Sequence, residues 1–356
     1  MAKIITRAPG KLYLAGEYAV LDGCPAIVVA LDRFVTVTIT PSTTGGTIRS
    51  KGSYDNVVHW TRVGYEMVLD YRDDPLQYTL GAIRVAESYL FDKGIKPRYY
   101  NLTVTNGLAS KYGDKYGLGS SAAVTVATIK ALFAFNGCAL TKDLLYKLAA
   151  ISHMRIQKNG SGGDIAACVY TGYIAYTAFD KDWLQEEVND KKICAVAEES
   201  WPKLNVVPLT APDDMDLLIG WTGIPASTPK LVDENAKAKE AKEARYDQFL
   251  SGSRNVVEGI IEGFKEKSLA KIKAGINANR KLLLDLSAFT GIEIEIPLLK
   301  SLIEIADKYG AAAKSSGAGN GDCGIAIAAN TIDIPQVYKE WEEAGIKPMS
   351  LKVYRK

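Results

Sequence analysis

Glycines and hydroxyls that could hold a phosphate group occur together in the stretch Lys115-Tyr116-Gly117-Leu118-Gly119-Ser120-Ser121-Ala122-Ala123. Glycine lets a backbone bend sharply and approach a ligand closely. The first amides of a helix lack partners within the helix and carry partial positive charge. The apolar run 124–135 predicts a buried helix directly after the loop, so the stretch is a candidate phosphate site. The alternative is that Ser120 or Ser121 is only the N-cap of that helix.

Two other stretches carry charged side chains beside flexible backbone. Pro9-Gly10 predicts a turn with Lys11 directly after it, where a lysine either faces solvent or serves a site. Glu17 and Tyr18 follow a glycine and could line a pocket. Asp164 follows the glycine-rich loop 159–163 and precedes an apolar segment. It is therefore either a helix N-cap or a carboxylate directed into a cleft.

The hydrophobic patterns predict the elements that would position these residues. Strands are expected at 3–8, 26–39, 102–104, 172–177, 217–221, 311–314, 324–328 and 348–353. Helices are expected at 76–91, 124–135, 141–158, 246–264, 269–286, 297–309 and 334–343. The Gly/Thr/Ser-rich segment 43–53 predicts a turn, and the charge-rich run 236–245 a solvated helix. The order of elements indicates an α+β second domain, with domains at 1–190 and 191–356.

Composition narrows the possible functions. A length of 356 residues suggests about two domains, and a net charge of +2 offers no broad basic surface for nucleic acid. Five scattered cysteines without CxxC spacing predict reduced thiols of a cytoplasmic protein. With only two histidines, a histidine-based zinc site is not expected. No apolar run is long enough to cross a membrane, so no membrane association is expected.

Two nucleotide-binding fingerprints fail when their context is considered. The P-loop pattern GxxxxGK[ST] is missing from the sequence. The stretch 319–324 matches GxGxxG, but a strand follows it, whereas the dinucleotide motif must open a helix. The stretch 117–122 matches the looser GxGxxA form, but the residues before it are too polar for a buried strand. These failures argue against a dehydrogenase.

Three motifs in chain order resemble those of the GHMP kinases: APGKLYLAGEYAVL at 8–21, GLGSSAA at 117–123 and KSSGAGNGDCGIAI at 314–327. Within that superfamily the motifs are most similar to the phosphomevalonate kinase family, and the similarity covers nearly the whole chain. The resemblance implies an α+β, two-domain fold: an N-terminal domain like ribosomal protein S5 domain 2, a ferredoxin-like C-terminal domain, and a site between them. It implies ATP-dependent phosphorylation of (R)-5-phosphomevalonate to 5-diphosphomevalonate in isoprenoid precursor synthesis.

The resemblance also implies roles for individual residues. Lys11 and Asp164 would be the catalytic pair. Mg²⁺ would bind near Ser120 or Ser121, and of these two serines Ser121 is the expected metal ligand. The ATP phosphates would contact Lys115, Gly117, Leu118, Gly119, Ser120 and Ser121. The acceptor would contact Glu17, Tyr18, Ser161, Gly162, Ser227 and a second glycine turn, Ser316, Gly317, Ala318 and Gly319. Apart from the resemblance, a doubly charged acceptor would need further cations, and Arg155, Lys158 and Lys230 are candidates by their position in the sequence. The alternative for each is a plain surface charge.

One departure from the family pattern concerns the metal. Mevalonate kinases resemble this chain but have a Mg²⁺-binding Glu eleven residues before the catalytic Asp, where this chain has His153. Histidine is a poor ligand for a hard, oxygen-seeking ion, which argues against mevalonate kinase. Mevalonate kinase, another small-molecule GHMP kinase and a ligand-sensing relative remain as alternatives. A monomer or homodimer is expected.

Overall fold

A computed structural model describes residues 3–51, 56–70, 76–109, 115–226, 231–236 and 243–356. The strands are β1 (Ile4–Ala15), β2 (Ala26–Pro41), β3 (Gly46–Lys51), β4 (Asn56–Val63), β5 (Glu66–Leu69), β6 (Tyr100–Asn106), β7 (Tyr173–Thr177), β8 (Asn205–Leu209), β9 (Met215–Trp221), β10 (Ala312–Ser315), β11 (Cys323–Ala329) and β12 (Lys347–Pro348). The helices are α1 (Gln77–Asp92), α2 (Ser120–Asn136), α3 (Lys142–Met154), α4 (Gly163–Tyr170), α5 (Lys181–Asp190), α6 (Ile193–Glu198), α7 (Glu243–Lys265), α8 (Leu269–Thr290), α9 (Pro297–Lys308) and α10 (Ile334–Glu343). Residues 231–236 are also helical.

The first sheet is built around the long strand β2. Its strands lie in the order β5-β4-β3-β6-β2-β7-β8, and β1 pairs with β2 antiparallel along nearly its whole length. The first part of β2 also pairs with β7, and the last part pairs with β6. The turn predicted at Pro9-Gly10 is wrong, because β1 continues through it with a shift in register. A bulge is a place where a strand tolerates a residue that has no N–H to donate.

The second sheet has the strand order β10-β11-β9-β12 and is antiparallel. The strand predicted at 348–353 is only partly present, because β12 ends at Pro348. The chain then returns to the first sheet, where the amide of Asp32 donates to the carbonyl of Lys352 at 2.9 Å and Tyr354 donates to Ala30 at 2.9 Å. The chain therefore passes between the two sheets twice, once after β8 and once after β12.

Helix α2 lies at the centre of the larger core. It packs against β1, β2, α1, α3 and α4, and most of its side chains are buried. This confirms the buried helix predicted after the glycine loop. A separate apolar core joins the second sheet to α9 and α10, with Leu302 and Trp341 fully buried. Each sheet therefore has helices packed against it, in agreement with the α+β, two-domain fold that the resemblance implies.

Several smaller expectations differ from the structure. The segment predicted as a turn at 43–53 contains β3, and the helix predicted to reach 158 ends at Met154. Most of the charge-rich run at 236–245 lies outside the described residues. The domain boundary near 190 stays a prediction; the chain leaves the first sheet after Leu209 and enters the second at Met215. No helix in the described ranges is both long and apolar enough to span a membrane.

Candidate active site

The glycine loop before α2 has the backbone shape that its glycines permit. Gly117 and Gly119 have φ values of 74° and 75°, in the left-handed region that side chains disfavour. Gly119 occupies the N-cap position of α2, and no side chain in the described part of the chain caps that helix. The alternative of a serine N-cap is therefore wrong. The first amides of α2 are left to bind an anion.

Lys11 lies on β1 directly against this loop. Its backbone N–H donates to the carbonyl of Leu118 at 3.0 Å, and its Nζ donates to the carbonyl of Gly117 at 3.4 Å. A methyl group placed on Gly119 would lie 2.9 Å from Cε of Lys11. The lysine side chain therefore runs through the space that Gly119 leaves open, and its ammonium group stays beside the loop.

We expect Gly119→Ala to impair catalysis by moving Lys11. The added methyl group also carries the left-handed backbone cost of about 1–2 kcal/mol. Gly137→Ala is the matched control, because Gly137 ends the same helix at a φ of 69° and has open space around its missing Cβ. Both variants should lose similar stability in thermal melts. Only Gly119→Ala should also lower kcat/KM, by about tenfold relative to the unchanged enzyme. Equal activity in the two variants would contradict this role of Lys11.

Asp164 is the second residue of α4, presented by the loop before it. Gly162, with a φ of 78°, takes the N-cap position, so the N-cap alternative for Asp164 is wrong. The Asp164 Oδ1 accepts from the N–H of Ile165 at 3.0 Å. The Asp164 side chain is half-buried and lines the site. The buried thiol of Cys168 is affected by both charges: burial raises its pKa, Asp164 raises it further, and Lys11 lowers it.

A chain of hydroxyl groups fixes the loop that carries Asp164. The hydroxyls of Tyr13 and Ser161 lie 2.8 Å apart, and Tyr176 donates to the carbonyl of Ser161 at 2.6 Å. The hydroxyl of Tyr146 in turn lies 2.8 Å from that of Tyr176. Burial raises the pKa of Tyr13 well above its usual value, and the Asp164 charge raises it further. These phenols therefore stay neutral and act as hydrogen-bonding groups.

The second glycine turn is fixed to β1 and to the residues after it. The Ser316 hydroxyl accepts from the N–H of Tyr13 at 3.0 Å and donates to the carbonyl of Tyr13 at 2.8 Å. The Tyr18 hydroxyl donates to the carbonyl of Ala318 at 2.6 Å. Three stretches far apart in sequence, around residues 13, 161 and 316, are thus joined around one opening.

That opening is a cleft of about 740 Å³. It has the size of a site for a small molecule or nucleotide. The predicted site residues that line it are Lys11, Glu17, Tyr18, Lys115, Gly117, Leu118, Gly119, Ser120, Ser121, Ser161, Asp164, Gly317 and Ala318. A helix N-terminus, two lysines and a carboxylate therefore face the same space. Such an arrangement can bind phosphates and stabilise charge during their transfer.

Comparison with known proteins agrees with this chemistry. The family models "GHMP kinases N terminal domain" and "GHMP kinases C terminal" match residues 77–172 and 260–347. The chain is 36% identical to phosphomevalonate kinase of Streptomyces sp. (strain CL190), over 98% of this chain and 96% of that protein. The chain belongs to the GHMP kinases. It is a kinase with the two-domain α+β fold of that family.

Two solved structures are also similar to this GHMP kinase. The Lin0012 protein from Listeria innocua has a TM-score of 0.92 and 37% identity, covering 99% of this chain and 98% of that one. Streptococcus pneumoniae phosphomevalonate kinase, in complex with phosphomevalonate and AMPPNP, has a TM-score of 0.86 and 27% identity. That match covers 99% of this chain and 100% of that one. The likeness extends over both sheets.

Some residues predicted to contact substrate instead support the walls of the kinase cleft. Gly162, Ser316 and Gly319 do not line it in the described structure. Gly162 packs against the hydroxyls of two tyrosines, and Gly319 packs against the backbone of Ile294. Arg155 and Lys158 are exposed and lie away from the cleft lining. Ser227 and Lys230 fall outside the described residues.

Glu17 lines the cleft, but its carboxylate is already engaged inside the protein. The Nζ of Lys314 lies 2.5 Å from Glu17 Oε1, and both side chains are almost completely buried. Asn279 donates to Glu17 Oε2 at 3.2 Å and accepts from the N–H of Gly16 at 3.1 Å. Burial lowers the pKa of Lys314, and the Glu17 charge opposes that shift. Glu17 therefore joins the end of β1 to α8 and β10. Because both carboxylate oxygens already have partners, Glu17 supports the cleft wall rather than contacting an acceptor.

His153 also lines the cleft, although no contact with another residue was predicted for it from the sequence. Its Nε2 lies 3.3 Å from the Ser121 hydroxyl, and its ring lies 5.0 Å from that of Tyr78. Burial lowers the pKa of His153, while the charge of Asp164 raises it. No periodicity or local motif indicates this pairing, because Ser121 and His153 lie on different helices. The other unassigned lining residues are Tyr13, Val20, Leu21, Tyr78, Gln157, Asn159, Gly160, Pro225, Ala226, Val232 and Asp322.

The donor atoms in the cleft fit a magnesium ion that arrives with ATP. The described residues contain no group of three or more His, Cys, Asp or Glu side chains that could hold a metal alone. The cleft does present the hydroxyls of Ser120 and Ser121 and the carboxylate of Asp164. Mg²⁺ in kinases keeps several waters and binds through one or two carboxylates plus substrate phosphates. A sparse set of oxygen ligands is sufficient for such an ion.

Proposed function

We propose that this kinase transfers the γ-phosphoryl group of ATP to (R)-5-phosphomevalonate, giving 5-diphosphomevalonate and ADP. The main support is the full-length similarity to Streptococcus pneumoniae phosphomevalonate kinase, whose structure contains phosphomevalonate and AMPPNP. The cleft described above supplies the groups that such a reaction needs. The identity with the Streptomyces phosphomevalonate kinase supports the same assignment.

The glycine loop would hold the phosphates of ATP. The uncapped first turn of α2 offers backbone amides, and Ser120 and Ser121 offer hydroxyls at the cleft surface. Lys11 and Lys115 would compensate negative charge on the transferring group and the nucleotide. Because the protein's part in phosphoryl transfer is mainly positioning and charge stabilisation, these groups carry most of the proposed mechanism.

We assign Asp164 an orienting role, in which its carboxylate sets the position of Lys11. A phosphate monoester has its second pKa near ~6, so the acceptor is mostly a dianion at neutral pH and needs no general base. An alcohol acceptor, by contrast, would have to lose a proton. Asp164 and Lys11 both line the cleft, and both act electrostatically on the buried thiol of Cys168, which supports this assignment.

We propose that Mg²⁺ accompanies ATP and is bound by Ser121, with a carboxylate of the cleft available to it. When bound, the ion neutralises phosphate charge and helps to orient the phosphates. His153 would hold the Ser121 hydroxyl from behind, through the 3.3 Å contact between Nε2 and Oγ. His153 would then lie beside the metal ligand Ser121, at the position where mevalonate kinases are expected to have a Mg²⁺-binding Glu.

Three broader assignments remain part of this proposal. The reaction would take place in the cytoplasm, consistent with cysteines that are all free in the structure. The enzyme would act as a monomer or homodimer on small-molecule substrates. The division into 1–190, with the ATP site, and 191–356 would describe its two domains.

The acceptor can be identified by following ADP release from Mg-ATP. We expect turnover with (R)-5-phosphomevalonate and at least a hundredfold lower kcat/KM with mevalonate, because the acceptor phosphate is itself the nucleophile. Asp333→Asn, a change at an exposed helix cap, is a suitable control and should retain full activity. Turnover with mevalonate alone would contradict the proposed function and restore Asp164 as an alcohol-activating base.

A further inference from the structure

Asp322 lies between the second glycine turn and β11, and it is hydrogen-bonded to the segment that follows β9. Its N–H donates to the carbonyl of Ile224 at 2.7 Å, and its carbonyl accepts from the N–H of Thr222 at 2.9 Å. Its Oδ1 accepts from the N–H of Ala226 at 3.3 Å. Its φ of 51° is in the left-handed region, which a non-glycine residue seldom adopts. The backbone and the side chain of Asp322 thus hold the same five-residue segment.

The opposite side of the Asp322 carboxylate faces the glycine loop. A methyl group placed on Gly117 would lie 2.6 Å from both Cγ and Oδ2 of Asp322. Burial raises the pKa of this carboxyl, whereas the hydrogen bond from Ala226 and the charges of Lys11 and Lys115 lower it. Asp322 is therefore in contact with the loop and within the electrostatic reach of both lysines.

The negative charge at this position requires an explanation of its own. Asparagine could accept the same hydrogen bond from Ala226 and also tolerates left-handed backbone. A carboxylate that lines the cleft repels the phosphates of both substrates. A purely structural anchor would not need that charge. The two lysines provide the reason, since Lys11 donates to the carbonyl of Gly117, the residue that Asp322 touches, and the negative charge offsets the repulsion between the two cations.

We infer that Asp322 is a positioning residue, which holds Lys11 and Lys115 in place beside the glycine loop and fixes the segment 222–226 at the other side of the cleft. This rests on the proposed function only in assigning the two lysines to phosphoryl transfer. The charge of Asp322 weakens the binding of nucleotide in the ground state. It accelerates the transfer step, because the lysines need no reorganisation when the phosphates arrive.

Two substitutions separate the charge of Asp322 from its hydrogen bond. Asp322→Asn keeps the acceptor oxygen and removes the charge, whereas Asp322→Gly keeps only the backbone conformation. For Asp322→Asn we expect the Kd for ADP, measured by calorimetry without acceptor, to fall about threefold to tenfold. We expect kcat to fall about tenfold to a hundredfold. Asp322→Gly should in addition raise the KM for the acceptor, because the segment 222–226 loses its side-chain anchor.

The Asp333→Asn variant makes the same chemical change at another aspartate that accepts a backbone hydrogen bond, at 3.1 Å from Gln336. It should leave the Kd for ADP and kcat unchanged. A Kd for ADP that is unchanged or increased in Asp322→Asn would overturn the inference. ADP binding needs no acceptor, so this test stands even if phosphomevalonate proves to be the wrong substrate. Thermal melts of all three variants show whether a lower kcat merely follows a loss of folding.

Discussion

Replacing Asp164 with asparagine is expected to lower kcat by about a hundredfold to a thousandfold, the cost of removing one group that stabilises charge in a transition state. Asparagine has nearly the same shape and can still accept from Ile165, so the loop should keep its structure. The carboxylate charge that orients Lys11 would be lost. The KM for ATP should change little, because the amides of α2 do not depend on Asp164.

The pH dependence of this variant tests the orienting role. In both enzymes the rate should fall as the pH drops below about 6, because the acceptor phosphate then gains a proton. The ratio of the two rates should therefore be constant across pH. A rate loss that eases as pH rises would instead indicate that Asp164 removes a proton. Asp180→Asn, at the N-cap of α5, is the control and should not change the rate.

Replacing Lys314 with an uncharged residue should strongly lower the free energy of unfolding. Lys314→Met leaves the carboxylate of Glu17 buried with Asn279 as its remaining side-chain partner. Breaking a buried ion pair from one side costs about 3 to 5 kcal/mol, because an uncompensated charge remains inside the protein. Equilibrium urea unfolding should measure this loss as a lower free energy of unfolding.

The double variant Glu17→Gln/Lys314→Met should recover much of that stability. No charge is then left unpaired, and replacing a buried pair by neutral groups is often nearly neutral. Lys308→Met serves as a control, since it breaks the surface Lys308–Glu340 pair and should cost much less than Lys314→Met. If Lys314→Met cost no more than this control, the buried pair would not hold the sheets together as described.

The sequence predicts some elements of the fold well because their signals are local. The helix at 334–343 is predicted at the bounds that the structure gives, since its apolar residues recur with helical spacing and Asp333 caps it. The strand β3 was missed because its composition is that of a loop. Only Ile48 in it is fully buried, and its parallel partner β6 lies about fifty residues away. Pairing across such a distance leaves no mark in a local window.

The residues of the candidate site also differ in how far the sequence alone predicts their roles. The glycine loop and Asp164 belong to contiguous motifs, so both could be identified from the sequence, although their contacts could not. Glu17 looked like a substrate contact because nothing near it in the sequence reveals Lys314 or Asn279. Asp322 was given no role from the sequence, since only the folded chain brings it to Gly117 and to the segment after β9. Long-range hydrogen bonds decide what these side chains do.

The two sheets are joined at more places than the two chain crossings. One connection leaves β8 and enters β9, and the other leaves β12 and returns to β2, where Val353 bridges Leu31. Around the cleft, Ser316 is hydrogen-bonded to Tyr13, and Lys314 is paired with Glu17. A body attached to another at several separate points resists rotation as well as twisting and sliding. The frame that carries Lys11 and Asp322 should therefore stay rigid, so that their relative orientation is the same in every turnover.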